Sequence, residues 1–337
     1  MVVGLVYDTA YELHAPPTTG KQHWHIETPE RVSVIYAALG KAKLLDKMER
    51  VPAQCVTRAE AEACHTAEHC DALEALAEAA PQVAGAWAGS RASGSTSSSR
   101  TTGWLRNGND MYHNEHTART ARLAAGGVVA LTSRVVTGRL SSGVALVRPP
   151  GHHACENRMA GFCFLNSVAI AARQAIRRHG LARVLIVDWD VHHGDGTQAI
   201  FEDDPSVLYM SLHRFGHNFF PGTGAAAQVG IRLGAGHTVN VPWRREGMGD
   251  AEYLAAFDAL LMPIARAFDP ELVLVSAGFD AASGDRVGGM ALTAEAFAGM
   301  TARLGTLAAG KLVLALEGGY RPALAAKGLL ACARVLL

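Results

Sequence analysis

The chain has 337 residues, 49% of them hydrophobic, and its 31 Lys plus Arg balance 31 Asp plus Glu, so the formal net charge is zero. This length and apolar share suit a large buried core, and the charge balance argues against a general nucleic-acid binder, which needs a basic excess. No apolar run reaches the ~18 residues of a membrane span; scattered cysteines without a CxxC pair, and an N-terminus without a charged leader, fit a reduced, intracellular and cytoplasmic protein.

In chain order, "VVGLVYD" (2–8) predicts a strand, and "TPERVSVIYAALGKAKLLDKME" (28–49) a helix with a threonine cap and Pro29 at its first position. A second helix is predicted over 66–80. Residues 89–103, "GSRASGSTSSSRTTG", have no apolar period and read as a surface loop within one domain, because strand–helix alternation resumes directly after them. A helix over 114–138 ends on glycine, a strand over 143–151 runs into a turn, and a helix over 161–180 stops at Gly180. Strands follow at 183–190, 206–212, 238–242, 271–277 and 311–317, with helices at about 249–268, 294–309 and 321–336. Continuous apolar strands such as "LVLVSAG" and "LVLALEGG" suit a parallel sheet covered on both faces. The expectation is a single doubly wound α/β domain over 1–337.

In such a sheet, ligands bind at the carboxyl ends of the strands. Four strand ends carry polar residues that a core does not call for. They are "RPPGHHA" with His152 and His153, "DWDVHHGDGTQ" with Asp188, Asp190, His192 and Asp195, "SAGFDAASGD" with Asp280, and "LEGGY" with Tyr320. Asp190 and His192 alternate and share one side of their strand's end. Asp280, from a neighbouring strand, completes an Asp–His–Asp set suited to a divalent metal, zinc in particular, with a position left for water. Taken singly, each feature has a plainer reading: a buried salt-bridge network or calcium loop for DxDxH, a packed turn for the histidine pair, a helix cap for Asp280, a turn aromatic for Tyr320. Together they favour metal-assisted hydrolysis, which also needs a base, an acid and a donor to the oxyanion. The histidine pair can serve as the first two and the Tyr320 hydroxyl as the third, with Asp188 and Asp195 orienting one histidine each. No GxSxG elbow or GxxxxGK[ST] loop offers a rival chemistry.

The motifs "RPPGHHA", "GFCFLNSVAIAA", "DWDVHHGDGTQ", "FFPGTG", "SAGFDAASGD" and "LEGGY", in this order, resemble the zinc-dependent histone deacetylase family. The likeness runs from about Glu30 to the C-terminus and is nearest the class II, tubulin-deacetylase-like branch. It implies the arginase/deacetylase α/β fold, with a largely parallel central sheet and helices on both faces. It also implies Asp190, His192 and Asp280 as zinc ligands, His153 as general base and acid, and His152 as its electrostatic partner. Asp188 would pair with His152, Asp195 with His153, and Tyr320 would polarise the scissile carbonyl. Gly161, Phe162 and Phe220 would line an acyl-lysine tunnel, Asp110 would meet the substrate amide at its mouth, and Arg31 would sit in an internal cavity. A structural potassium would use Asp188, Asp190, His192, Ser211 and Leu212.

Three positions depart from the family pattern. Asp195 stands where class II members usually carry Asn, Met111 where close relatives have Ser, and Val287 where polyamine-selective relatives place a Glu. The resemblance implies an amidohydrolase that removes acetyl or another short acyl group from lysine in a protein or peptide. The alternative is an acetylpolyamine or other small acetamide hydrolase. A catalytically silent acyl-lysine-binding module and an arginase-like dimanganese enzyme use fewer of these residues. The same ligands accept ferrous iron as well as zinc. Neither nucleic acid nor membrane is expected as a partner.

Overall fold

The computed structural model describes residues 2–16, 25–78, 103–105, 111–216 and 218–337. The expected surface loop up to residue 102 and the tunnel-mouth candidate Asp110 lie outside the described residues. The strands are β1 (Val3–Val6), β2 (Met48–Arg50), β3 (Gly103–Leu105), β4 (Met111–His113), β5 (Ser142–Ala145), β6 (Val184–Asp188), β7 (Val207–Arg214), β8 (Thr238–Trp243), β9 (Leu272–Ala277) and β10 (Leu312–Leu316). Eight of them form one sheet in the order β2-β1-β5-β10-β9-β6-β7-β8. Every pairing in it is parallel. β3 and β4 make a separate antiparallel pair.

The helices are α1 (Glu30–Lys41), α2 (Arg58–Ala61), α3 (Ala67–Glu78), α4 (Thr117–Val136), α5 (Ser167–His179), α6 (Asp195–Phe201), α7 (Asp250–Ala256), α8 (Met262–Phe268), α9 (Ala294–Leu304) and α10 (Pro322–Leu336). α4 packs on α5, and α10 packs on α1 and α9. Every residue of β5, β6, β9 and β10 is buried, because neighbouring layers cover both faces of the sheet's centre. Among the described residues no helix is long and apolar enough to cross a membrane.

The parallel order has a direct consequence for the site. β5, β10, β9 and β6 are consecutive in the sheet and run the same way. Their carboxyl ends therefore open on one rim, and these are the four ends that carry His152 and His153, Tyr320, Asp280, and Asp188 with its neighbours.

Several boundaries differ from the sequence expectation. The predicted helix over 28–49 stops at Lys41, Lys43 turns into the left-handed region (φ 55°), and Met48–Arg50 form the edge strand β2. Leu44 and Met48 are buried on that path, so the apolar spacing continued past the helix. Pro29, expected at the first helical position, takes the N-cap instead of Thr28, so the helix starts one residue later than expected, and the cap has no side-chain hydrogen bond. The predicted helix over 161–180 begins only at Ser167. Gly161 and Phe162 have φ of 53° and 68°, and Asn166 caps the helix by accepting from the Ala169 N–H. Its glycine stop stands: Gly180 is left-handed at φ 69°. The helix expected over 249–268 is interrupted by a π-turn at Phe257–Leu261, just ahead of Pro263, which has no N–H for the regular helical bond.

Candidate active site

β6 ends at Asp188, and the chain then bends at the rim, where the Asp190 N–H donates to Asp188 Oδ1 at 3.1 Å and the His192 N–H to Asp190 Oδ1 at 2.9 Å, so each side chain of the Asp188, Asp190, His192 series is set by the one before it. Asp190 is fully buried and held at both oxygens. Oδ1 accepts from the His192 N–H and faces His192 Nδ1, both at 2.9 Å, and Oδ2 accepts from the Gly318 N–H at 2.8 Å. Asp280, past the end of β9, accepts from the Val191 N–H through Oδ1 at 2.9 Å. Its Oδ2 is buried, lies 3.2 Å from His192 Nδ1, and makes no hydrogen bond among the described residues. One imidazole N–H thus stands between two carboxylates and satisfies only one of them. Ligand atoms of Asp190, His192 and Asp280 all lie within 4.8 Å of one another.

The electrostatics agree with a cation at this point. Burial and the Asp190 charge push the Asp280 carboxyl up to about 6. Burial opposes protonation of His192, yet the two carboxylates lift it to about 9. A proton on His192 occupies the place where a divalent ion would offset both anions, and the Asp280 Oδ2 left without a hydrogen bond among the described residues marks the share a proton cannot fill. Gly278 and Gly318 leave the necessary room. A Cβ at Gly278 would come within 2.0 Å of Asp190 Oδ2, and one at Gly318 within 2.2 Å of Asp280 Oδ2. His152, Cys163 and Glu317 form a second group of potential ligands. Most of their polar atoms are already engaged, however: His152 Nδ1 with Asp188, the Cys163 thiol with the Gly161 carbonyl, and Glu317 with the Gly151 and His152 N–H groups and the Ser276 hydroxyl.

The turn after β5 brings the two histidines beside this set, their ring centroids 4.0 Å apart. His152 Nδ1 pairs with Asp188 Oδ2 at 2.9 Å and His153 Nδ1 with Asp195 Oδ1 at 2.8 Å. Tyr209 donates to the same Asp188 oxygen at 3.2 Å. The two imidazoles differ in charge. Burial works against His152, but Asp188 and Asp190 raise it well above the ordinary value. Burial and the neighbouring His152 charge lower His153 to about 3, with Asp195 opposing. The surroundings thus favour a proton on His152, shared with Asp188, and disfavour one on His153.

The description "Histone deacetylase domain" matches residues 25–336. This chain belongs to the histone deacetylase family. It is 43% identical over 318 residues to histone deacetylase 15 of Arabidopsis thaliana, covering 94% of this chain and 52% of that protein. It is 40% identical over 346 residues to histone deacetylase clr3 of Schizosaccharomyces pombe, covering 99% and 48%. It is 54% identical over 213 residues to the human polyamine deacetylase HDAC10, covering 62% and 32%. The chain thus spans about half the length, or less, of these relatives. A crystal structure of the HDA15 HD domain superposes with a TM-score of 0.90 at 41% identity, covering 99% of this chain and 88% of that one. The expected arginase/deacetylase α/β fold is the fold observed.

The remaining histone deacetylase candidates fall around the same rim. Phe162 meets Tyr320 edge to face at 5.9 Å, and Phe220 meets His153 likewise at 4.8 Å. A Cβ on Gly161 would strike His153 Cδ2 at 2.3 Å and Phe220 Cε1 at 3.0 Å, so only glycine fits between them. Tyr320 is buried, and burial, against the pull of Arg31, raises its hydroxyl well above the ordinary value; it is a hydrogen-bond donor at neutral pH. Val287 is half-buried, in a loop tied to Tyr320. Asp285 accepts from the Val287 N–H at 3.1 Å and from the Tyr320 N–H at 2.8 Å. Ser211 is the register partner of Asp188, and Leu212 follows it, both buried. Arg31 is buried under the rim, where it pairs with Glu27 at 3.0 Å and donates to the Gly319 and Glu317 carbonyls.

Sequence reasoning missed four partners. Glu317 accepts from the Gly151 N–H at 2.7 Å and the His152 N–H at 3.2 Å, and so clamps the histidine turn. Glu27 binds Arg148 as well as Arg31 in a fully buried cluster. Arg158 donates to Asp195 Oδ2 at 2.7 Å. Glu317 and Arg148 sit inside the motifs "LEGGY" and "RPPGHHA", so a charge at a strand end was a visible signal for both. Glu27 and Arg158 had none.

Proposed function

We propose that this chain is a zinc-dependent amidohydrolase that removes acetyl, or another short acyl group, from the side-chain amine of lysine in a protein or peptide. The observation that carries this reading is the buried Oδ2 of Asp280, which makes no hydrogen bond among the described residues and shares His192 with Asp190, next to two histidines each backed by an aspartate. Two carboxylates and an imidazole suit zinc, which supplies Lewis acidity that polarises the carbonyl and lowers the pKa of water. Neutral His153, its Nδ1 engaged by Asp195, has Nε2 free to take the proton of the attacking water and pass it to the leaving amine. His152, charged beside Asp188, stabilises negative charge as it builds on the substrate. The Tyr320 hydroxyl donates to that developing oxyanion. Gly161, Phe162 and Phe220 hold the acyl-lysine stem, with Asp110 assigned to its amide at the mouth. A structural potassium is assigned to Asp188, Asp190, His192, Ser211 and Leu212, partly through backbone oxygens.

A second reading, an acetylpolyamine hydrolase, is favoured by the 54% identity to the human polyamine deacetylase. Val287 weighs against it, since an aliphatic side chain offers nothing to a cationic substrate. The experiment is a panel of acetyl-lysine peptides, acetylspermidine and small acetamides on metal-quantified protein, before and after chelation. The proposal expects the peptide to be turned over fastest, activity to vanish with the metal, and added zinc to restore it. Undiminished turnover after the metal is stripped would overturn it, as would no hydrolysis of any acetamide.

A further inference from the structure

Asp195 has two oxygens and two partners. Oδ1 takes His153, and Oδ2 takes the guanidinium of Arg158. Asp195 is largely buried, and the two contacts fix its carboxylate plane. Arg158 reaches it from a tight turn between His153 and Gly161. The Cys155 N–H donates to the Arg158 carbonyl at 3.0 Å, and the Thr66 N–H holds the Glu156 carbonyl at 2.8 Å. Arg158 also donates to Cys155 Sγ at 3.3 Å, which braces the guanidinium against its own turn. The Arg158 side chain itself is 47% exposed, so it fills no space in the core.

We propose that Arg158 is a positioning residue for His153, acting through Asp195, in the hydrolysis proposed above, on which this inference rests. A carboxylate with one partner can swing about χ2, because that torsion is broad. A second, charge-assisted bond on the far oxygen holds it so that Oδ1 stays on His153 Nδ1. The imidazole is then aimed with its Nε2 toward the reacting atoms. An amide in place of Asp195 would gain little from the guanidinium, so the effect of Arg158 depends on the charge of residue 195.

The test compares Arg158→Ala and Arg158→Lys, each with Asp195 intact and with Asp195→Asn, as zinc-loaded protein on an acetyl-lysine peptide. Arg158→Ala is expected to lower kcat about two- to fivefold, with KM within about twofold. Arg158→Lys is expected to recover most of that loss. With Asp195→Asn present, Arg158→Ala should cost less than about twofold, the non-additivity of a coupled pair. A readout independent of turnover is the downfield proton resonance of His153 Nδ1–H, assigned by its loss in His153→Ala. It should shift or broaden in Arg158→Ala and return in Arg158→Lys. Wild-type kcat in Arg158→Ala, an equal loss in both backgrounds, an unmoved resonance, or loss of the fold in Arg158→Ala would each overturn the positioning role. Should the wild type hydrolyse no acetamide at all, the proposed function falls, and the resonance still decides the role of Arg158.

Discussion

A single methyl group at Gly318 tests the metal centre more sharply than removing a ligand. Gly318 follows β10, and its N–H holds Asp190 Oδ2 at 2.8 Å. Its φ is not left-handed, so alanine strains no backbone torsion there. The new Cβ, however, would lie 2.2 Å from Asp280 Oδ2 and 2.5 Å from Asp190 Oδ2. Ordinary contact begins near 3.4 Å, so the two oxygens must withdraw by about 1 Å each. Metal ligation tolerates deviations of only about 0.2 Å. Both carboxylates would leave coordination range together, although neither has been mutated. Changes one shell further out cost about 10- to 100-fold in metal affinity, so Gly318→Ala should lose at least about 100-fold, near 2.8 kcal/mol. Overpacking should destabilise the metal-free fold by about 1–3 kcal/mol besides. The assay is bound zinc by elemental analysis across a graded chelator series, with thermal melts alongside. Gly216→Ala is the control, since its Cβ would meet nothing within 4 Å. Zinc affinity in Gly318→Ala within about threefold of wild type would refute the assignment of Asp190 and Asp280 as one ligand pair.

Asp195→Asn removes the group that raises His153, so the neutral base persists to lower pH; the acidic limb of the pH–rate profile should move down, and an unmoved limb would take Asp195 out of that role. Glu317→Ala orphans the Gly151 and His152 N–H groups and should cost about 1–3 kcal/mol for each in a denaturant melt, whereas Glu317→Gln keeps an acceptor and should stay close to wild type at about pH 4.5, where the carboxyl is protonated in the folded chain. The Glu317 carboxyl is pushed up from 4.5 to about 7 by burial, with His152 opposing. The folded chain then holds a proton that the unfolded chain releases, so wild-type stability relative to Glu317→Gln should decline as pH rises from about 4.5 to about 7, and denaturant melts across that range measure it. Val287→Glu should raise the rate on acetylspermidine relative to acetyl-lysine peptide by about tenfold, as expected for one added attractive charge near a cation; an unchanged ratio would remove that position from substrate choice.

What was legible in the sequence follows from how each part is attached. β6, β9 and β10 announce themselves as unbroken apolar runs because both faces of the sheet's centre are covered. The edge strand β2 has three residues, two of them exposed, and hid inside a helix-like spacing. Asp190 and His192 were legible because they follow a strand end at a spacing of two, which the bend after β6 keeps through the Asp188 and Asp190 carboxylates, and Asp280 because a parallel sheet brings strand ends to one rim. Arg158 and Glu27 obey no such period. Each reaches the site from a segment outside the strands, by a contact that no spacing in the chain encodes. Glu317 lies between these cases: its place at the end of β10 was visible, but its task depends on two N–H groups from the turn after β5. The parts that carry chemistry are thus readable where the sheet holds them, and the parts that aim them are not. That asymmetry makes a substitution of Arg158, half-exposed and outside every strand, a sequence change with no motif to flag it that would still reach His153.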